Sequence, residues 1–235
     1  MRVRRVLTTR AGGFSGPPYG SFNLGAGTGD DRAHVLRNRR RLATGVGLTE
    51  DRLVWMDQVH GATATIVHGP RPHPVPGTDA LVTALPGLAL VALTADCVAV
   101  LMADPEAAVV AAVHAGRAGA TGGVLPAALD AMREAGARLD RVEALLGPAV
   151  CGACYEVPPD LQTATERRLP GSACRTRRGT AGLDLRAGLW HQLAGAGVAR
   201  IGADPRCTAE DPQLYSYRRD GVTGRLAAVI WMDRS

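Results

Sequence analysis

The sequence predicts one α/β domain, an α+β arrangement of helices packed on a mixed sheet that takes up residues 1–235. The chain of 235 residues has the length of one domain with a sizeable core, and neither a linker nor an internal repeat divides it. Hydrophobic residues make up 46% and charged residues 21%, proportions typical of a globular protein and too apolar for a disordered one. Strand-like and helix-like segments occur in mixed order, which predicts both element types in the same domain.

Turn-rich segments separate the predicted elements at three places. Residues 12–31 and 68–78 contain too many Gly and Pro residues for a regular element, and residues 175–182 are predicted as a basic hairpin or flexible loop. Long ordered loops often carry function, so residues 12–31 are a candidate functional segment.

The apolar segment 88–103 is predicted as two buried strands, because Thr94, Asp96 and Cys97 interrupt its middle. The other predicted elements, in chain order, are a helix at 35–45, a strand at 107–113, a helix at 121–135, a strand at 142–146, helices at 159–168 and 185–196, and a closing strand at 226–231.

The formal net charge of +5 does not by itself indicate a nucleic-acid partner. Every basic side chain is Arg and none is Lys, which is typical of a genome-wide composition bias. The one dense run, residues 37–41, is predicted to form a partly solvated helix face rather than a groove-reading one. We therefore expect no nucleic acid among the partners.

The sequence also predicts a cytoplasmic protein without a membrane partner. No apolar run approaches the roughly 20 residues that span a bilayer, and no apolar segment follows the basic N-terminus as in a signal peptide. Five cysteines, an odd number, favour reduced thiols over a disulfide framework. Two of them, Cys151 and Cys154, have C-x-x-C spacing without a companion pair, which favours an incidental or weakly redox-active pair over a zinc site.

Polar residues inside apolar strands are the first candidates for function, because burying one unpaired costs on the order of 1–3 kcal/mol. Cys97 alone is compatible with a small core residue, but the carboxylate of Asp96 beside it is not. His114 ends an apolar strand and begins HAGRAGATGG, a Gly-rich turn before a helix, which is an arrangement that can bind an anion. Arg117 within that turn adds a positive charge suited to phosphate, although a plain tight connection explains the glycines equally well.

His60 is a third candidate, at the end of WMDQVHG. Its spacing from Cys97 and His114 matches no local metal signature. The residues alone therefore leave open both a joint Cys/His/His site and ordinary structural roles for the three side chains.

Several motifs follow one another along nearly the whole chain: TTRAGGFSGPPYGSFNLGAGTGDD (8–31), WMDQVHG (55–61), TDALVT (78–83), TADCVAVLMAD (94–104), VHAG (113–116), GPAV to ACYEV (147–157) and YSYRRDGVTGRLAAVIW (215–231). Through them the chain resembles the laccase-domain family, also called polyphenol oxidase-like or peptidoglycan editing factor proteins, whose members are similar to multifunctional purine nucleoside phosphorylases. The resemblance implies a single α/β domain with a metal-binding active site formed by His60, Cys97 and His114.

The resemblance further implies a zinc enzyme that uses phosphate to cleave adenosine, inosine, guanosine or methylthioadenosine and that deaminates adenosine. Three protein ligands with an open fourth position are typical of catalytic zinc, which can activate water for attack on C6 of adenine; copper is possible in its place. Phosphorolysis needs arginines for phosphate, and Arg10 is the first candidate, followed by Arg117 and Arg218. Asp96 is expected to orient a ligand imidazole or to shuttle a proton.

A departure at one candidate site residue, two enzymatic alternatives and one non-enzymatic alternative remain at this point. The chain has HAGRAG where the family usually has HAGWRG, which leaves the role of Arg117 open. A cysteine hydrolase could use Cys97 as nucleophile without metal, for instance on a peptidoglycan precursor. A copper-dependent polyphenol oxidase is the other alternative, but six histidines are too few for a four-copper centre, so only weak oxidation is expected. A non-enzymatic binding module is the third class of function.

Overall fold

A computed structural model describes residues 1–233 as twelve strands and six α-helices. The strands are β1 (Val3–Leu7), β2 (Leu53–Trp55), β3 (Ala64–Ile66), β4 (Ala80–Thr83), β5 (Ala89–Thr94), β6 (Val98–Asp104), β7 (Val109–Ala115), β8 (Glu143–Leu146), β9 (Ala173–Arg175), β10 (Ala181–Leu183), β11 (Arg200–Ala203) and β12 (Leu226–Met232). The helices are α1 (Arg32–Gly45), α2 (Arg117–Gly122), α3 (Val124–Glu134), α4 (Pro159–Arg168), α5 (Leu185–Gly195) and α6 (Tyr217–Asp220), with 3₁₀ turns at Glu50–Arg52 and Leu139–Arg141.

The strands form two mixed sheets and one hairpin. A four-stranded sheet has the order β1-β12-β5-β2, and a six-stranded sheet has the order β11-β8-β6-β7-β4-β3. In each sheet the central pairs are antiparallel, while β2, β3 and β11 pair in parallel at the edges. The hairpin is β9 with β10. These sheets confirm the predicted mixed-sheet α/β fold.

The two large sheets pack face to face, and helices cover their outer faces. Alternate residues of β5 face opposite ways: Leu90 lies between the sheets, whereas Val91 packs toward α1. In β6, Leu101 lies between the sheets and Val100 packs toward α3 and α5. Both faces of these strands are buried, which explains why they are continuously apolar in sequence.

The loop of residues 12–31 is fixed to α1 by one buried amide. Asn38 Nδ2 donates to Ser15 Oγ and to the carbonyl oxygens of Ser21 and Asn23, while Asn38 Oδ1 accepts from the N–H of Phe14. This segment contains no helix or strand, as predicted, and it is ordered by these hydrogen bonds together with the packing of buried Leu24 into the apolar core.

Two predicted elements differ from the structure. The helix expected at 121–135 is divided into α2 and α3, because Gly123 adopts a left-handed conformation with φ of 95°. The strand expected at 107–113 is β7, which extends to residue 115 and therefore includes His114. The two strands within 88–103 and the helix at 159–168 are confirmed. Within residues 1–233, none of the helices combines the length and hydropathy that crossing a bilayer requires.

Candidate metal and substrate site

His60, Cys97 and His114 meet beside the seam between the two large sheets. Cys97 lies in the short connection that passes from β5 of one sheet to β6 of the other, and His114 lies on the neighbouring strand β7. His60 belongs to the loop between β2 and β3. The possible ligand atoms of the three side chains all lie within 4.8 Å of one another, and Cys97 Sγ is 3.7 Å from His60 Nε2. We call this group the His/Cys/His trio.

Asp79, directly before β4, holds both histidines in place. Its buried carboxylate is 2.8 Å from His114 Nδ1 and accepts hydrogen bonds from the backbone N–H groups of Val59, His60 and Gly61 at 3.2, 3.0 and 2.7 Å. His60 has a φ of 57°, an uncommon conformation for a residue with a side chain, and these bonds support it. One carboxylate therefore fixes the ring orientation of His114 and the backbone conformation of His60.

The trio is electrostatically polarised. Burial opposes ionisation of Cys97, but hydrogen bonds to His114 and His60 outweigh burial and lower the pKa of its thiol to about 6. Burial would likewise lower the pKa of His114, but hydrogen bonds to Asp79 and Cys97 raise that pKa to about 9. For Asp79, burial is outweighed by the His114 contact, and its pKa is lowered. At pH 7 both shifts favour a Cys97 thiolate beside a His114 imidazolium when no metal is bound.

Two glycines of the HAGRAG motif allow this close approach. A Cβ atom on Gly116 would lie 2.7 Å from His60 Cδ2 and 3.0 Å from Cys97 Sγ, so any larger residue would displace these two side chains. A Cβ atom on Gly119 would lie 2.8 Å from the carbonyl oxygen of Gly61, which brings α2 against the His60 loop. The glycines serve packing of the site, and the helix begins at Arg117 without an intervening turn.

The trio opens into a cavity of about 810 Å³, within the range of small-molecule pockets. Its charged lining residues are Arg39, Asp57, Asp96, Arg117, Arg218 and Arg225. Its larger apolar and aromatic lining residues are Met56, Pro74, Leu93, Val150, Tyr155, Leu185 and Tyr217. The cavity therefore offers apolar surface for a planar ring together with an excess of positive charge.

Three of the four arginines that line the cavity donate hydrogen bonds from their guanidinium groups to other protein groups. Arg39 Nε donates to Leu24 O at 3.0 Å and its guanidinium lies over Trp55, while burial lowers its pKa to about 10. Arg218 donates to the Glu156 carbonyl, and Arg225 donates to two neighbouring carbonyl groups. Within residues 1–233, Arg117 is the cavity arginine whose guanidinium makes no hydrogen bond or ion pair.

The structure corrects two sequence-based expectations. Arg10, the first candidate for phosphate, does not line the cavity, because its Nε donates to Gly20 O and its guanidinium lies over Tyr215. Asp96 does line it, but its carboxylate is held by groups other than the two histidines and does not orient them, while a role in shuttling a proton stays a prediction. Its carboxylate accepts hydrogen bonds of 2.6 Å from Thr208, Ser216 and the backbone N–H of Arg218.

Sequence reasoning missed Asp79, although a signal for it was present. Asp79 is a carboxylate bordering a strand whose four residues are all buried, which is the kind of anomaly that drew attention to Asp96. Arg39 and Arg225 were also missed, because nothing in their local sequence indicates that they reach a common cavity. The Asn23 side chain helps to fix the loop of residues 12–31, since it bonds to Thr28, Asp30 and Gly25.

Comparison with known proteins identifies the family to which the chain is similar and known structures with the same fold. Residues 4–233 match the model of a family described as multi-copper polyphenol oxidoreductase laccase. A Mycobacterium tuberculosis protein named purine nucleoside phosphorylase is 54% identical over 233 residues, which cover 99% of this chain and 93% of that protein. A Corynebacterium glutamicum protein of the same name is 52% identical over 234 residues, covering 99% and 95%.

Solved structures show the same fold. The crystal structure of YlmD from Geobacillus stearothermophilus has a TM-score of 0.93 and 34% identity, and the match covers 99% of this chain and 92% of that chain. The crystal structure of Bacillus licheniformis hypothetical protein YfiH has a TM-score of 0.90 and 29% identity, covering 98% and 93%.

Proposed function

The chain belongs to the family described as multi-copper polyphenol oxidoreductase laccase, and from that premise we propose that it is a zinc-dependent purine nucleoside phosphorylase that also deaminates adenosine. One observation carries this function: the His/Cys/His trio opens into a cavity that combines apolar surface with four arginines. The name purine nucleoside phosphorylase, given to relatives at more than half identity, supports the choice of substrate.

The donor set of the trio fits zinc. Two imidazoles and a thiolate are preferred zinc ligands, and three of them leave a fourth position open, as in catalytic sites. The Asp79 carboxylate binds His114 Nδ1, which leaves His114 Nε2 available for a metal. Histidine ligands of zinc commonly have such a carboxylate partner on their other ring nitrogen. When bound, zinc supplies a Lewis acid and lowers the pKa of water. Copper fits the same donors.

The residues around the trio suit phosphate and a nucleoside. Arg117 has its guanidinium available to bind phosphate, and Arg218 contributes positive charge from a fixed position over the Tyr155 ring. Tyr155 and Tyr217 provide aromatic surface for a purine. In phosphorolysis, a phosphate oxygen forms a bond to C1′ of the ribose while the bond from C1′ to the purine nitrogen breaks. The electron pair and a proton go to the departing purine.

A multicopper oxidase is not supported by these residues. Such a centre needs many imidazole ligands. Of the described residues that line the cavity, only His60 and His114 supply imidazoles.

A cysteine hydrolase is the second candidate, because one observation favours it. The lowered pKa of Cys97 and the raised pKa of His114 describe a thiolate–imidazolium pair of the kind that attacks carbonyl carbon atoms. A peptidoglycan precursor, which contains such carbonyl carbon atoms, is a suitable substrate for this reaction. Dependence of the activity on a bound metal distinguishes the two functions, because the thiolate mechanism needs no metal.

The test combines metal analysis with two assays. Purified protein is analysed for zinc, then incubated with inosine and phosphate, and separately with adenosine in the absence of phosphate. The variants are His60→Ala and, as a matched control, His68→Ala, which replaces an exposed histidine that does not line the cavity. We expect phosphate-dependent release of hypoxanthine, and formation of inosine from adenosine, by the wild type and His68→Ala but not by His60→Ala.

Chelation decides between the candidates. Loss of both activities on zinc removal, with recovery on zinc addition, supports the proposal. Protein that turns over neither nucleoside, with or without zinc, contradicts it and directs attention to thiol chemistry at Cys97.

A further inference from the structure

We propose that Cys151, Cys154, Cys207 and Glu210 form a second metal site, which binds one structural zinc ion independently of the His/Cys/His trio. We call these four residues the Cys₃Glu cluster. The first two have C-x-x-C spacing and the last two have C-x-x-E spacing, so the fold brings two short ligand pairs together. Neither the nucleoside chemistry nor the cavity uses any of the four side chains.

The four possible ligand atoms already have nearly the spacing that zinc requires. All lie within 4.8 Å of one another, and Cys151 Sγ is 3.9 Å from Glu210 Oε2. In tetrahedral zinc sites with Zn–S bonds of about 2.3 Å, the sulfur atoms are about 3.8 Å apart. Small side-chain rotations therefore suffice to close the site around an ion.

The backbone supports both ligand pairs without a metal. The N–H of Cys154 donates to Cys151 O at 2.9 Å, which closes the C-x-x-C turn. The N–H of Glu210 donates to Cys207 O, which closes the C-x-x-E turn. A backbone bridge between Ala149 and Cys207 joins the two segments. The ligands are thus preorganised, which reduces the entropic cost of metal binding.

The surroundings favour negatively charged sulfur once a cation is present. The N–H of Cys151 donates to Cys207 Sγ at 3.3 Å, a contact that commonly supports thiolate ligands. Arg177 pairs with Glu210 and lies near the cysteines, so it offsets part of the negative charge of three thiolates and one carboxylate. Glu210 and Arg177 are exposed, and the carboxylate can turn toward the metal while keeping its arginine nearby.

The cluster fits a structural rather than a catalytic ion. Four protein ligands complete tetrahedral zinc and leave no open position, and thiolate-rich donor sets favour zinc. The two ligand segments also contact Asp96, which lines the active-site cavity. Thr208, next to Cys207, donates to Asp96, and the N–H of Val150 donates to Asp96 O beside Cys97. Zinc in the cluster would fasten these two segments to each other.

The experiment counts zinc in four forms of the full chain, purified under reducing conditions. Cys151→Ser/Cys154→Ser is expected to lose about one equivalent of zinc relative to the wild type. Cys174→Ser is the matched control, because Cys174 lies near Cys151 but outside the cluster, and it is expected to retain the wild-type content. His60→Ala is expected to keep the zinc of the cluster, so failure at the trio and failure at the cluster give different results.

A second measurement leaves the cluster intact, in case the double variant does not fold. The variant Cys97→Ser is treated with a chelator and then titrated with Co²⁺. Because its trio has no sulfur ligand, any sulfur-to-cobalt charge-transfer absorption arises outside the trio. We expect such absorption, its disappearance on addition of Zn²⁺, and its persistence when Cys174→Ser is added. Absence of this absorption in reduced protein overturns the proposal, as does a disulfide within the cluster in protein kept under reductant.

Discussion

The two cysteine-containing groups of this protein hold their sulfur atoms in opposite electrostatic environments. In the trio, two imidazoles surround Cys97 and lower the pKa of its thiol to about 6. In the Cys₃Glu cluster, burial and the neighbouring thiol Cys151 raise the pKa of Cys154 to about 12, and burial raises that of Cys151 as well.

The difference shows that similar ligand types can serve different purposes. The trio carries its own positive charge and is reactive before any ion binds. In the cluster, the raised pKa values of Cys151 and Cys154 keep these two thiols protonated until a cation is supplied, which suits a site whose purpose is to hold two segments together.

The largest expected effect comes from the anchor of the trio. Asp79→Asn should lower the free energy of unfolding by about 3–5 kcal/mol, because it removes one partner of a buried pair and leaves backbone donors unsatisfied. It should also release metal from the trio while zinc stays in the cluster. Urea unfolding and metal analysis measure both effects.

The matched control is Asp130→Asn, which removes an exposed carboxylate paired with Arg133. Such surface pairs contribute about 0–1 kcal/mol. Equal stability of the two variants would mean that Asp79 does not anchor the site.

An intermediate effect is expected from crowding the trio without changing its charge. Gly116→Ala places a methyl group against His60 and Cys97, and a displacement approaching 1 Å should reduce nucleoside turnover about a hundredfold. Gly122→Ala, in the same helix, meets only Ala62 at 3.7 Å and should leave turnover unchanged. Steady-state kinetics of both variants, with cluster zinc as an internal reference, provides the comparison. Similar kinetics of the two variants would contradict a close-packed trio.

The smallest effect concerns thiol reactivity in the chelated wild type. Iodoacetamide labelling of Cys97 should reach half its maximum near pH 6 and then level off, whereas labelling of Cys151 and Cys154 should still rise above pH 9. At pH 7 the rates should differ by about tenfold or more, since a larger thiolate fraction is partly offset by lower nucleophilicity. Peptide mass spectrometry resolves the sites.

The two pKa shifts also determine how the stability of the folded protein depends on pH. The lowered pKa of Cys97 makes its stabilising contact disappear as the pH falls through about 6. The raised pKa of His114 makes its contribution disappear as the pH rises through about 9. A Cys97 labelling midpoint above pH 8 would show that the imidazoles do not ionise the thiol.

Sequence reasoning identified the residues that interrupt a pattern. Cys97 and His114 stand out because the sequence segments around them are otherwise apolar, and the fold class follows from the mixture of strand-like and helix-like segments. His60 has no such contrast and was assigned through family resemblance. The site residues whose meaning depends on distant partners were not predictable: Arg10 bonds to Gly20, and Asp96 is held by residues more than 100 positions later.

The Cys₃Glu cluster shows the same limit. Cys151 and Cys207 are 56 positions apart, and the C-x-x-C pair alone gave no reason to expect ligands from a second segment. The backbone bridge between Ala149 and Cys207 and the hydrogen bond from the Cys151 N–H to Cys207 Sγ bring the two turns together. Spacing rules detect ligands on one turn, whereas a site assembled from two turns depends on the whole fold.

The amide of Asn38 gives another part of the cavity lining a different chemical character. Residues 25–28 of the loop that Asn38 helps to fix line the cavity, and its four hydrogen bonds involve only amide, carbonyl and hydroxyl groups. None of these groups gains or loses a proton between pH 6 and 9, the interval over which Cys97 and His114 change their charge. Acidification or alkalisation therefore alters the reactive trio, while this anchor of the loop stays chemically unchanged.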